Sequence, residues 1–177
     1  RSTLFPYTTL FRSGRRDNMF NEFMNEAIRE AEKAAELNEV PIGAIIVCDG
    51  EILGRGHNLV ITRNDPTAHA EILAIRQASE ALSGERLNEC EMYVTLEPCP
   101  MCAGAIVLAR LRKVFIGARD PKSGACGTVL NILQTEQLNH RAEIEYGLME
   151  PECSQLLKEF FKTLRARGKQ HPKREKG

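Results

Sequence analysis

No stretch of the 177-residue chain approaches eighteen consecutive apolar residues, so the sequence offers no helix able to cross a membrane. Six cysteines at this length are too few for a secreted disulfide scaffold. Net charge is absent, because 24 Lys+Arg balance 24 Asp+Glu. No internal repeat and no linker composition divides the chain. What is present is ordinary: 42% hydrophobic and 27% charged residues, the balance of a globular chain with one well-filled domain.

The zero charge averages unlike parts. Residues 19–157 hold 12 basic against 21 acidic side chains, and residues 158–177 hold 8 against 2. An acidic body with a basic end suits a polyanionic partner at that end, or a solvated tail that only aids solubility. At the other end, Arg1 to Ser13 shows neither helical nor strand periodicity and lacks the apolar run of a secretory leader. It matches, residue for residue, one reading frame of a common sequencing adapter. Residues 1–18 are therefore expected to be a non-native leader, with Met19 as the natural start.

Phe20 to Leu37 carries Phe20, Met24, Ala27, Ala31 and Ala34 at helical spacing. Residues 42–48 and 51–56 flank Asp49-Gly50 and read as a hairpin. A polar loop over 59–67 precedes a helix from about Ala68 to Ser79, with Ile72, Leu73 and Ile75 as its apolar stripe. Then come a strand at 92–96, a helix from Pro98 to about Arg110, a strand at 114–118, a short helical segment near 130–133 and a strand within 142–148. A last helix starts at Pro151 and runs into the basic tail. This order predicts an α/β fold, a three-layer α/β/α sandwich around a mixed five-stranded sheet.

Two helix starts carry chemistry: Thr67-Ala68-His69-Ala70-Glu71 and Glu97-Pro98-Cys99-Pro100-Met101-Cys102. Cys99 and Cys102, three apart on a first turn, present both sulfurs on one side, where the helix N-terminus favours thiolate. With His69 they make three good zinc ligands. A structural site needs four, and three leave a position for water, which bound zinc activates near neutral pH. Glu71 is then placed to carry the proton. Singly, Cys-x-x-Cys also reads as a redox pair, His69 as a helix-cap histidine and Glu71 as a solvated first-turn carboxylate. In the order His-x-Glu then Pro-Cys-x-x-Cys they match the signature of zinc nucleobase deaminases. Cys48, Cys90, Cys126 and Cys153 lack ligand spacing and read as ordinary thiols; His140 and His171 read as surface residues.

From Phe20 to about Lys169 the sequence resembles the bacterial tRNA-specific adenosine deaminases. The likeness rests on residues 39–44, His57-Asn58, 65–71, 95–105, 115–120 and Phe160-Phe161 before basic residues. It implies a cytidine-deaminase-like fold and one zinc ion per chain on His69, Cys99 and Cys102. It also implies hydrolysis of adenosine to inosine at the tRNA wobble position, by zinc-activated hydroxide with Glu71 as proton shuttle. Asn58 would hold the extruded base and Asp120 would lie near the ribose. Arg119 and Lys122 are candidate phosphate contacts, Phe160 a candidate base contact, and Arg165 with its basic neighbours would meet the stem-loop backbone. A homodimer in the cytoplasm is expected. Three alternatives stay open at this point: a zinc deaminase of free guanine or cytosine, a non-catalytic zinc RNA-binding module, and a disulfide redox protein without stoichiometric zinc.

Overall fold

A computed structural model describes residues 8–170, with side chains from 17 to 168. His171, Lys173 and Arg174 lie outside the described residues, as do residues 1–7 of the expected leader. The elements are α1 (Thr8–Glu36), β1 (Gly43–Cys48), β2 (Glu51–His57), α2 (Val60–Arg63), α3 (Ala70–Leu82), β3 (Cys90–Leu96), α4 (Pro100–Ala109), β4 (Lys113–Ala118), a 3-10 turn (Ile132–Gln134), β5 (Glu143–Tyr146) and α5 (Glu150–Gln170). The sheet runs β2-β1-β3-β4-β5. β1 is antiparallel to both neighbours, while β3, β4 and β5 are parallel. This is the expected mixed five-stranded sheet.

Strand alternation sets the three layers. Ala44 and Ile46, Met92 and Val94, and Val114 and Ile116 point to one face and pack with α3 and α4. Ile45 and Val47, Tyr93 and Phe115 point to the other and pack with α1 and α5. Tyr93 and Phe115 stack at 4.4 Å between ring centroids beneath Phe20 and Phe23 of α1. Among the described residues no helix is long and apolar enough to cross a membrane.

Several details depart from the sequence reading. α1 begins at Thr8, not Phe20, since a formed helix extends one residue per hydrogen bond and nothing after Pro6 stops it. The expected loop at 59–67 contains the single turn α2. On α3 the buried face is Ala70, Glu71, Ala74 and Ala78, and Ile72, Leu73 and Ile75 are only half-buried. The reason is close approach: a methyl at Gly54 or Gly56 of β2 would strike the carbonyls of Ala74 or Ala70. Only small residues fit there, so the larger ones turn outward. Cys48 and Cys90 are not separate thiols. They face each other across β1 and β3, with Cα atoms 4.4 Å apart, and form a disulfide. Strand register creates that pairing across 42 residues, and no local spacing announces it. His140 is half-buried, with Nε2 donating to the Leu111 carbonyl at 2.7 Å.

Candidate metal centre and active site

Two helix starts converge at the carboxyl ends of the parallel strands, where open α/β sheets place their ligands. β3 ends at Leu96, and Glu97-Pro98 carries the chain into α4. Cys99 is the N-cap residue, in extended conformation, and Pro100 opens the helix with a preset φ. His69 is likewise the N-cap residue of α3. Both helices thus begin two residues later than the sequence suggests, which leaves His69 and Cys99 at the caps and Cys102 inside the first turn.

The three ligand atoms lie within 4.8 Å of one another. His69 Nδ1 is 3.6 Å from Cys99 Sγ and 3.5 Å from Cys102 Sγ. A tetrahedral zinc about 2.3 Å from sulfur and about 2.0–2.1 Å from nitrogen requires N···S separations of about 3.5–3.6 Å. Both N···S separations match that requirement. Cys99 and Cys102 are free thiols in contact with the imidazole, which adds a third donor to the Cys-x-x-Cys pair.

The electrostatics agree. The Cys99 thiol is pulled down to about 4, first by the hydrogen bond with Cys102 and then by that with His69, against the cost of burial. Cys102 is pushed up, since it shares the remaining proton with Cys99 and is itself buried. The Cys99 thiolate raises the pKa of His69 through their hydrogen bond, although burial works the other way. A divalent ion bound by these three residues would take the place of these protons. Glu71, 3% exposed on the first turn of α3, neighbours the Cys102 thiol. Burial is the main cause that raises its pKa, with a smaller push from Cys99. That carboxyl is able to hold a proton.

Asn58 follows β2 and is 6% exposed. Its N–H donates to Ile42 at 3.1 Å, and Leu59 N–H donates to Ala68 at 3.0 Å, which ties this corner to the residue before His69. Among the described residues its amide takes no hydrogen-bond partner, so donor and acceptor both stay available. Asp120 and Lys122 stand on the loop after β4. The Asp120 carboxylate is engaged by that loop, accepting the N–H groups of Lys122 (2.9 Å) and Ser123 (3.3 Å) and the Ser123 hydroxyl (2.7 Å). Arg119 lies over Tyr146, 3.9 Å from the ring centroid. Phe160 and Arg165 are on α5, across the sheet from α3 and α4. Phe160 faces Phe161 edge-on and lines a groove against Ala35 and Asn38, while Arg165 is exposed.

Sequence reading missed two buried carboxylates that shape this end of the sheet. Glu39, 1% exposed, accepts the N–H (2.6 Å) and hydroxyl (2.9 Å) of Thr62 and so pins α2. Glu97 accepts four hydrogen bonds from the loop after β4. An acidic residue between a buried strand and a proline was the one local sign of the second.

Residues 18–165 match the family of MafB19-like deaminases. The chain is 54% identical over 147 residues, 83% of its own length and 91% of the relative's, to the tRNA-specific adenosine deaminase of Bacillus subtilis (strain 168). It superposes with a TM-score of 0.75 and 46% identity on a solved tRNA:A34 deaminase that edits A to I at the wobble position of transfer RNA, covering 77% of this chain and 99% of that one. The guanine deaminase of Bacillus subtilis is less similar, with a TM-score of 0.55 and 33% identity over 87% of this chain and 96% of that one.

Proposed function

The chain belongs to the MafB19-like deaminases and, within them, to the tRNA-specific adenosine deaminases, and on that footing we propose that it hydrolyses adenosine to inosine at the wobble position of a tRNA anticodon. The convergence of His69, Cys99 and Cys102 beside the buried Glu71 carries this reading. The chemistry is assigned to residues 19–157 and backbone contact to the basic residues 158–177.

His69, Cys99 and Cys102 would hold zinc, which supplies the Lewis acidity that makes water a nucleophile at neutral pH. The chain's own residues do the rest. Asn58 offers donor and acceptor to the purine edge and holds the extruded base. Glu71 Oε takes a proton from the attacking water and gives it to the ring nitrogen next to the amino-bearing carbon as the C–O bond forms. It then takes the proton of the new hydroxyl and passes it to the amine as the C–N bond breaks, so adenosine and water give inosine and ammonia.

α5 passes Gly117 near the carboxyl end of β4, where Cys153 packs, and reaches Asn38 before β1, where Arg167 donates a hydrogen bond at 2.9 Å. Both anchors lie at the sheet end that carries the cluster. Lys158, Lys162, Arg165 and Arg167 are exposed along the way and are placed to follow an RNA backbone. The half-buried Ile72 and Ile75 and the 80%-exposed Leu108 form an apolar face across α3 and α4, which supports a homodimer. A tRNA substrate supports the cytoplasm as the place of the reaction.

The test uses zinc-loaded protein and an RNA hairpin with adenosine at the wobble position. Inosine, read as guanosine after reverse transcription, is expected with the parent and not with Glu71→Ala. An unconverted hairpin at one zinc per chain transfers the proposal to a free base, starting with guanine.

A further inference from the structure

The segment from Arg119 to Leu130 carries three of the expected nucleotide contacts, yet it has few apolar anchors. Gly124, Ala125 and Cys126 are buried, while Lys122, Ser123 and residues 127–130 are exposed. One carboxylate holds it instead. Glu97 is 2% exposed. Its Oε1 accepts the N–H groups of Cys126 and Thr128, each at 3.1 Å. Its Oε2 accepts the N–H of Asp120 at 3.1 Å and the hydroxyl of Thr128.

Four donors from a nine-residue span thus meet two oxygens of a side chain two residues before Cys99. A second tie runs alongside, from Ala125 N–H to the carbonyl of Pro98 at 2.8 Å. Packing is equally tight, since a methyl at Gly124 would run into the Glu97 carboxylate.

Only a carboxylate satisfies this arrangement. A glutamine would turn its NH₂ toward N–H groups that need an acceptor. A buried anion is costly unless its lone pairs are filled, and the loop fills them here. Among the described residues no Lys, Arg or His forms an ion pair with Glu97. Among the described residues its hydrogen bonds all come from the loop, so carboxylate and loop keep each other in place.

We infer that Glu97 is a positioning residue for substrate recognition: its carboxylate sets the distance between the loop bearing Asp120 and Lys122 and the Cys99–Cys102 turn. The groups that meet the ribose and phosphate of the target nucleotide are thereby held in register with the metal cradle. This rests on reading Asp120 and Lys122 as nucleotide contacts in an RNA adenosine deaminase.

Two variants of the full zinc-loaded chain test it, Glu97→Gln and the milder Thr128→Val, which removes a single donor. Hydrogen bonds to a charged acceptor are each worth about a tenfold factor. Glu97→Gln is expected to raise KM for the hairpin at least about tenfold, with kcat within about threefold of the parent and zinc still at one per chain. Thr128→Val should shift KM the same way by less. Amide exchange at residues 126 and 128 should quicken about tenfold in Glu97→Gln while β1 and β3 stay protected. An unchanged KM with loop amides as protected as in the parent overturns the inference, as does a loss confined to kcat. Should Glu97→Gln fail to fold, Thr128→Val decides by the same two readings. Should the parent itself leave the hairpin unconverted, the substrate reading falls, and exchange alone judges whether Glu97 holds the loop.

Discussion

Glu71 occupies a position where two influences oppose each other: burial favours its neutral form, and the α3 N-terminus favours its charged one. Burial prevails and raises its pKa, so the carboxyl can take a proton and hand it on. Glu71→Ala should therefore lower turnover by a factor of about 10²–10⁴, the usual contribution of general acid–base catalysis, with zinc content and hairpin affinity within about twofold of the parent. Turnover at the parental rate would remove Glu71 from the mechanism. Cys99→Ala makes a different statement, because it deletes a ligand and the thiolate partner of His69. Zinc measured by atomic emission after dialysis should fall well below one per chain, and the melting temperature should no longer rise on adding zinc. Full zinc content in that variant would take Cys99 out of the cradle.

Between elements, the contact of α1 with β2 depends on charge as well as on the alanine face. Glu30, 3% exposed on α1, bonds Lys33 Nζ at 2.7 Å and His57 Nδ1 at 2.8 Å. Burial works to raise its pKa, yet the bonds from Lys33 and His57 prevail and hold it below the ordinary 4.5. The unfolded chain therefore binds the proton more readily, and the pair's stabilisation, complete above pH 4.5, is lost as pH falls through the depressed value. Glu30→Gln should flatten the fall of the urea midpoint over that window, and parallel curves for parent and variant would refute the coupling. These elements differ in how far the sequence revealed them. Strand alternation, the Asp49-Gly50 hairpin and the Cys99/Cys102 spacing are local patterns, and His69, thirty residues away, was joined to them by the match to a known signature, so the sheet and the His69/Cys99/Cys102 cluster were legible in advance. The outward turn of Ile72 and Ile75, the Cys48–Cys90 disulfide and the Glu97 contacts each depend on which strand lies beside which. Periodicity within one segment carries no such information.

For the whole molecule, charge and apolar surface are separated. The apolar face with Leu108 at its most exposed lies on α3 and α4, away from the basic α5. On the proposed homodimer, Leu108→Glu should shift the light-scattering mass from twice the chain mass toward that of a single chain, and an unchanged dimer would move the interface elsewhere. The basic helix is the proposed docking face for the other partner, the RNA. Residues 19–157 carry nine more acidic than basic side chains, so the body repels a polyanion that the last twenty residues, with an excess of six basic ones, attract. An anticodon stem-loop should therefore bind with its backbone along α5, releasing counterions as it docks. Each phosphate neutralised contributes about 0.7–0.9 to the slope of log affinity against log salt. Replacing Lys158, Lys162, Arg165 and Arg167 by alanine should thus lower that slope by about 3 and raise KM steeply at low salt, while kcat at saturating hairpin stays near the parent value. A slope unchanged by the four substitutions would mean that the RNA docks on another face and that α5 is only a solvated helix.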